Sequence, residues 1–385
     1  TARMAIYLTL VLIVLNHIAF GGSRVVVSLY ALQLGATQAQ VGVLMALYAL
    51  FPLVFAIAIG RLADRVGPRI PMLLGSCGLG IALILAVLWP ALLTLYLVAF
   101  LMGSSFHCFF VTVTGIAGGL GGAEHRSSNY ALVSLAFSGA GFVGPLISGF
   151  SIDYLGHLNA FLVLSAFTII PVLMLIFRSD FLPKAVAGSA TENATGSVLE
   201  LWRMPQLRNA FLASGFISAG WDLFNFYMPL YGHGIGLSAS MIGIILGVFA
   251  FATFVIRALL PWLLKRSTET DILITAIFVA ATAFVLFAFV QHIAALCAVS
   301  FLLGLGVGCG QPMSMSLIFA LAPEGRSSEA SGLRVTVNNL THLLIPLAFG
   351  SLGTMFGYAP VWFANASLMS LGGWLVRRTR SLPPP

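Results

Sequence analysis

Apolar residues gather along this chain in twelve runs, near 5–32, 40–59, 70–89, 92–120, 128–151, 159–177, 209–232, 240–264, 271–290, 294–321, 328–354 and 360–376. A helix crosses a bilayer in about 20 residues, so each run predicts one membrane span, with the longer ones tilted or extended beyond the lipid. One polar interval breaks the series. It holds a small, polar, weakly structured stretch from Lys184 to Ser197 and divides the chain into 1–178, a linker 179–208, and 209–385. Inside it, residues 200–205 read equally as a short amphipathic helix at the membrane surface and as an ordered loop.

Composition agrees with the pattern. Hydrophobic residues make up 59% of the 385 residues and charged ones 8%, far too few charges to cover a water-soluble surface of this size. The expected class is all-α, a polytopic membrane protein of twelve transmembrane helices. The formal charge of +7 is no nucleic-acid signal, because the basic residues sit at the ends of spans. Cys77, Cys108, Cys297 and Cys309 all fall inside apolar runs and form no CxxC pair. The start of the chain leads straight into an apolar run and reads as a first helix, not a signal peptide.

The Lys and Arg residues set an orientation. They follow spans two, four, eight, ten and twelve and surround the central interval, while the alternate loops near 33–39, 89–92, 152–158, 233–239, 291–293 and 355–359 carry none. Positive charge stays inside, so both termini and the linker are expected to be cytoplasmic, with the protein in the inner (cytoplasmic) membrane.

The two halves repeat each other. Residues 34–42 align with 235–243 at a shift of 201, as do 99–103 with 300–304, Cys108 with Cys309, and Pro145, Gly149 and Gly156 with Pro346, Gly350 and Gly357. Six spans in each half, running in the same direction, predict two pseudo-symmetric six-helix bundles related by an axis along the membrane normal. A ligand site is expected between them near mid-membrane.

Between spans two and three stands a dense cluster, Gly60-Arg61-Leu62-Ala63-Asp64-Arg65-Val66-Gly67-Pro68-Arg69, which marks a cytoplasmic turn. A degenerate copy recurs at Pro261–Arg266. The cluster resembles the signature of the major facilitator superfamily, and the six-plus-six repeat extends the resemblance over the whole chain. The resemblance implies secondary transport by alternating access, and a cytoplasmic gate in which Gly60, Asp64, Arg65 and Arg69 close the two halves. A carboxylate such as Asp64 could there cap a helix of the other half near Ser327 and Ser328. Gly144-Pro145 and Gly149 in span five resemble, with departures at Ala140 and Ser148, a motif of exporting antiporters. Ala99 stands where the superfamily's drug–proton antiporters carry an arginine, which argues against that subgroup.

Few ionisable groups remain inside spans, and each costs at least about 2.5 kcal/mol at a helix centre unless it faces a cavity or a partner. His17, Gly21, Arg24 and Ser28 share one face of span one; Ser214, Ser218, Asp222 and Asn225 share one of span seven, with Trp221 beside it; Arg334, Asn338, Thr341 and His342 form a stripe on span eleven. The repeat puts Asp222 and Arg24 at similar depth, as an ion pair or as competitors for a substrate's charge. Asp222 is also the natural proton carrier. Arg257 and Arg334 either snorkel inward or attract anions. His107 and Cys108 are adjacent on one helix and point about 100° apart, so they do not converge on a metal.

No nucleophile–base set, metal motif or phosphate loop is present, so neither an enzyme nor a cofactor is expected. The reading is a monomeric secondary transporter that moves a small organic anion, with a co-transported proton or by exchange. The alternative is efflux of hydrophobic drugs.

Overall fold

The computed structural model describes residues 2–119, 123–178, 182, 198–323 and 326–379, with side chains outside the described set at 2–3, 52, 54–65, 117–119, 123–128, 198–199, 327–328 and 379. All regular structure among them is helical. The elements are α1 (Ala2–Gln33), α2 (Gln38–Val66), α3 (Arg69–Leu88), α4 (Leu92–Gly119), α5 (Ala123–Leu155), α6 (His157–Phe177), α7 (Val198–Arg203), α8 (Pro205–Gly234), α9 (Ala239–Leu263), α10 (Glu269–Phe287), α11 (Ile293–Leu321), α12 (Ser327–Phe356) and α13 (Tyr358–Thr379). Twelve long helices thus match the twelve runs, and the short α7 settles residues 198–203 as helix.

Nine helices are long and apolar enough to cross a membrane as judged on the described residues. Helix α2 is described in full side-chain detail only over Gln38–Phe51 of its apolar part. Helix α8 falls short because Asp222 and Asn225 stand in its middle. Large apolar side chains such as Leu93 (82% exposed) and Phe177 (76%) point outward, as a lipid-facing surface requires.

The cluster between spans two and three departs from expectation. Gly60 to Val66 continue α2 as helix, and the reversal takes place at Gly67, whose φ of 79° only glycine adopts without strain. The 29-residue helix outruns the bilayer, so its charged end emerges without needing to turn.

Two compact units divide the chain: unit 1 is Thr1–Ser189 with Pro229–Gly247, and unit 2 is Ala190–Met228 with Val248–Pro385. In unit 1, α1 lies against α5 and α6, and α4 against α2 and α3. Leu12, Ile13, Met72, Phe109 and Val113 form a core without exposed surface. In unit 2, α10 lies against α11 and α13. There Leu201 on α7 joins Leu207, Phe211 and Ile318 in a buried cluster, which fastens the linker helix to α8 and α11.

The repeat is legible in backbone and packing alike. Gly35 and Gly236 (φ 85° and 82°), and Gly156 and Gly357 (84° and 80°), each 201 apart, make the same left-handed turns. A Cβ on Gly103 would lie 2.2 Å from the Tyr48 carbonyl oxygen; one on Gly304 would lie 2.5 Å from that of Phe249. Both residues of that close contact recur at the same shift, once within each unit.

Candidate functional site

In unit 2 the polar stripe of α8 faces that of α12. Ser214 Oγ donates to Asn338 Oδ1 at 3.2 Å. Two turns on, Asp222 Oδ2 meets His342 Nδ1. Ser214 also meets Arg334, 120 residues away, and Asp222 meets His342 at the same separation, so the two helices run in the same sense and keep register over this stretch. Asp222 is almost fully buried, with 5% of its side chain exposed, while His342 shows 36%. One partner is therefore shielded and the other partly open.

Helix α11 completes the set through Gln311, which the sequence reading passed over. Its Nε2 donates to Ser218 Oγ at 2.7 Å, and its Oε1 accepts from Arg334 Nη1 at 2.9 Å. The same guanidinium nitrogen lies 3.4 Å from Ser214 Oγ. Among the described residues Arg334's bonding partners are neutral, and its buried Nε has none. A charge held by neutral dipoles is solvated yet not neutralised, so it remains available to an anion.

The other expected residues of unit 2 are placed differently. Asn225 Nδ2 donates back to the Trp221 carbonyl at 2.9 Å, a bond within α8. The Trp221 ring meets Phe249 edge-on at 5.1 Å. Arg257 Nε donates to the Gly308 carbonyl at 3.2 Å, which anchors α9 to α11.

In unit 1, His17 sits in a box of rings. Phe137 approaches it edge-on at 5.0 Å and Phe106 at 5.3 Å, while Phe20 stacks on Phe106 at 3.9 Å. Tyr48 adds an edge contact to Phe20 at 5.7 Å, and its hydroxyl meets Ser23 Oγ at 3.0 Å. Arg24 lies close enough to act electrostatically on both His17 and Tyr48. The phenylalanines carried no signal by themselves in a chain with thirty of them.

Of the expected gate, Arg69 is described: its Nε and Nη2 donate to the carbonyls of Leu175 and Ile176 at 3.0 and 2.8 Å, capping α6. Gly60, Asp64 and Arg65 lie among the α2 residues whose side chains are outside the described set.

Buried polar stripes on apolar helices, in two repeated bundles, are the marks of a membrane carrier. The model of the Major Facilitator Superfamily matches residues 9–290 and again 210–385, and the chain belongs to that family. It is similar to a class H tetracycline resistance protein of Pasteurella multocida (23% identical over 352 residues, 86% of this chain and 84% of the relative). It is likewise similar to the multidrug resistance protein MdtG of Klebsiella pneumoniae (25% over 359 residues, 89% and 85%). A third relative is the quinolone resistance protein NorA of Staphylococcus aureus (22% over 356 residues, 91% and 90%). Among solved structures, the nucleoside transporter NupG superposes with a TM-score of 0.77 at 16% identity, covering 98% of this chain and 100% of its own. The peptide transporter POT in complex with sulfate reaches 0.80 at 14%, covering 99% and 96%. At those identities the structures share the fold alone. The protein is a multi-pass membrane transporter of this superfamily.

Proposed function

We propose that the protein exports amphipathic aromatic compounds by alternating access of its two six-helix bundles, 1–178 and 209–385, with protons entering in exchange. The observation that carries the reading is the Asp222–His342 pair, a buried carboxylate joined to a half-open imidazole in the middle of two spans. Such a pair can take up a proton on one side of the cycle and lose it on the other. The ring box around His17 supplies a surface for planar apolar substrates. Relatives named for tetracycline, quinolone and multidrug resistance favour this substrate class over small organic acids. Arg24 and Asp222 then compete for a substrate's charge, and Asp64 with Arg65 closes the cytoplasmic side, where both termini and the linker lie. The carrier works as a monomer.

The test is uptake of tetracycline and norfloxacin into inverted vesicles under an imposed pH gradient. Accumulation that collapses with the gradient and is lost in Asp222→Asn supports the reading. Accumulation that survives in Asp222→Asn would remove the proton role from that carboxylate.

A second reading has its own observation. Among the described residues Arg334 is held by neutral groups, which suits a substrate with an acidic group. On that reading Arg334→Gln weakens transport of norfloxacin, a carboxylate, and spares neutral dyes.

A further inference from the structure

Asp153, near the end of α5, is absent from every pairing above. Its Oδ1 accepts the amide N–H of Ala239 at 3.1 Å and its Oδ2 that of Ser240 at 2.8 Å. Ser238 Oγ accepts the next amide, that of Met241, at 3.3 Å. A helix begins with amides that have no intrahelical acceptor, and here Asp153 supplies the acceptors for the first two of α9. Its negative charge also sits against the positive end of the helix dipole. His157, on the first turn of α6, is close enough to interact electrostatically with both Asp153 and His233.

Behind the carboxylate the two helices touch backbone to backbone. A Cβ on Gly149 would stand 2.3 Å from the Ala239 carbonyl oxygen, and one on Gly243 2.5 Å from that of Pro145. One turn further, a Cβ on Gly247 would meet Leu146 and Phe142 at 3.4 Å, an ordinary contact distance. All these residues lie in unit 1, although α5 comes from the first half of the sequence and α9 from the second. The segment of the second half that belongs to unit 1 starts at Pro229, inside α8, and stops at Gly247, inside α9. Proline removes a helical hydrogen bond and glycine removes a side chain, so both ends of the segment fall where a helix bends most readily.

We propose that Asp153 is the latch of the outer gate, and that the 229–247 tip is the moving part it holds. The proposal rests on the alternating-access reading and on the orientation that puts this end outside. A carrier opening outward has to part the tip of α9 from α5. The two backbone-contact turns carry no charge and separate without leaving a polar group stranded, whereas Asp153 must give up two charge-assisted hydrogen bonds. Asp153 therefore sets the balance between outward-closed and outward-open forms. It is a positioning residue, since it acts on the gate and touches no substrate. At the repeat-related position stands Thr354, which has no charge.

The test places a cysteine at Leu146, under the joint, and follows its labelling by a membrane-impermeant maleimide in intact cells and in inverted vesicles, against the background of the four native cysteines. Adding Asp153→Asn removes the charge and one acceptor, and is expected to speed labelling from outside roughly tenfold. Asp153→Glu, which keeps both, restores most of the protection. Faster labelling only in inverted vesicles keeps the latch and overturns the assigned orientation. Equal rates with and without Asp153→Asn, in both preparations, overturn the latch whatever the transport assays show. If Asp153→Asn fails to accumulate in the membrane, hydrogen exchange in the unmodified protein decides. Ala239 and Ser240 amides as protected as the middle of α9 support the latch, and exchange at solvent rates overturns it.

Discussion

The carboxylate of Asp222 meets the imidazole of His342 from 120 residues away, and the contact of Ser214 with Arg334, at the same separation two turns earlier, keeps the helices in register. A single carboxylate and a single imidazole hence share one environment at the heart of unit 2. Replacing either should leave folding intact and abolish proton-driven transport. We expect Asp222→Asn to lower pH-gradient-driven efflux by at least about tenfold, the usual size of a proton-transfer contribution being larger still. His342→Gln should lower it as well, while substrate binding, read by ligand-induced thermal stabilisation, persists in both.

Gly103 and Gly304 each press on the carbonyl of a residue one helix away, at Tyr48 and Phe249. Backbone cannot move aside as a flexible side chain can. Gly103→Ala and Gly304→Ala are each expected to destabilise the protein by about 1–3 kcal/mol. Thermal unfolding in detergent measures it. Because each contact lies within its own unit, the double variant should lose the sum of the two single losses.

Arg334 tests the charge preference of the polar cluster on α8, α11 and α12. Among the described residues Arg334 bonds to Gln311 and Ser214, so Arg334→Gln removes the charge and strands no described carboxylate. Stability should change little. Stabilisation of the protein by norfloxacin should fall about tenfold in apparent affinity, the worth of one charge-assisted hydrogen bond, while that by neutral dyes stays constant. A uniform loss across all ligands would make Arg334 a packing residue instead.

Arg69 separates gating from capping. Two hydrogen bonds to the carbonyls of Leu175 and Ile176 are worth about 0.5–1.5 kcal/mol each. Arg69→Ala should therefore lower thermal stability more than Arg69→Lys, which retains a donor but not the fork. If Arg69 also belongs to the cytoplasmic gate, Arg69→Lys will slow transport while unfolding stays near normal.

The fold was legible because lipid imposes a strict code: spans are apolar, arginines collect at alternate ends, and a duplicated chain repeats its glycines at a constant shift. The same code misleads at residues 60–66, where the charge cluster reads as a turn although α2 runs on to Val66. Helical periodicity correctly grouped Ser214, Ser218 and Asp222, and Arg334, Asn338 and His342, onto single faces. It could not tell which face met which, so the Asp222–His342 contact had to come from the structure. Gln311 escaped notice because it is polar without being ionisable. Asp153 escaped because the apolar run ends near residue 151, whereas α5 continues to Leu155 and carries the carboxylate to the next helix.

The division of the chain into units has a consequence for how the protein is made. Unit 1 is closed by Pro229–Gly247, which a ribosome adds only after the linker and most of α8. The first six helices enter the bilayer before α9 exists, and Asp153 at the end of α5 waits for amides not yet synthesised. Assembly of the N-terminal unit is thus completed by the C-terminal half. A gene cut after Ser189 would yield an N-terminal fragment that lacks the last piece of its own unit, and that piece would arrive only with the C-terminal fragment, which carries unit 2 whole.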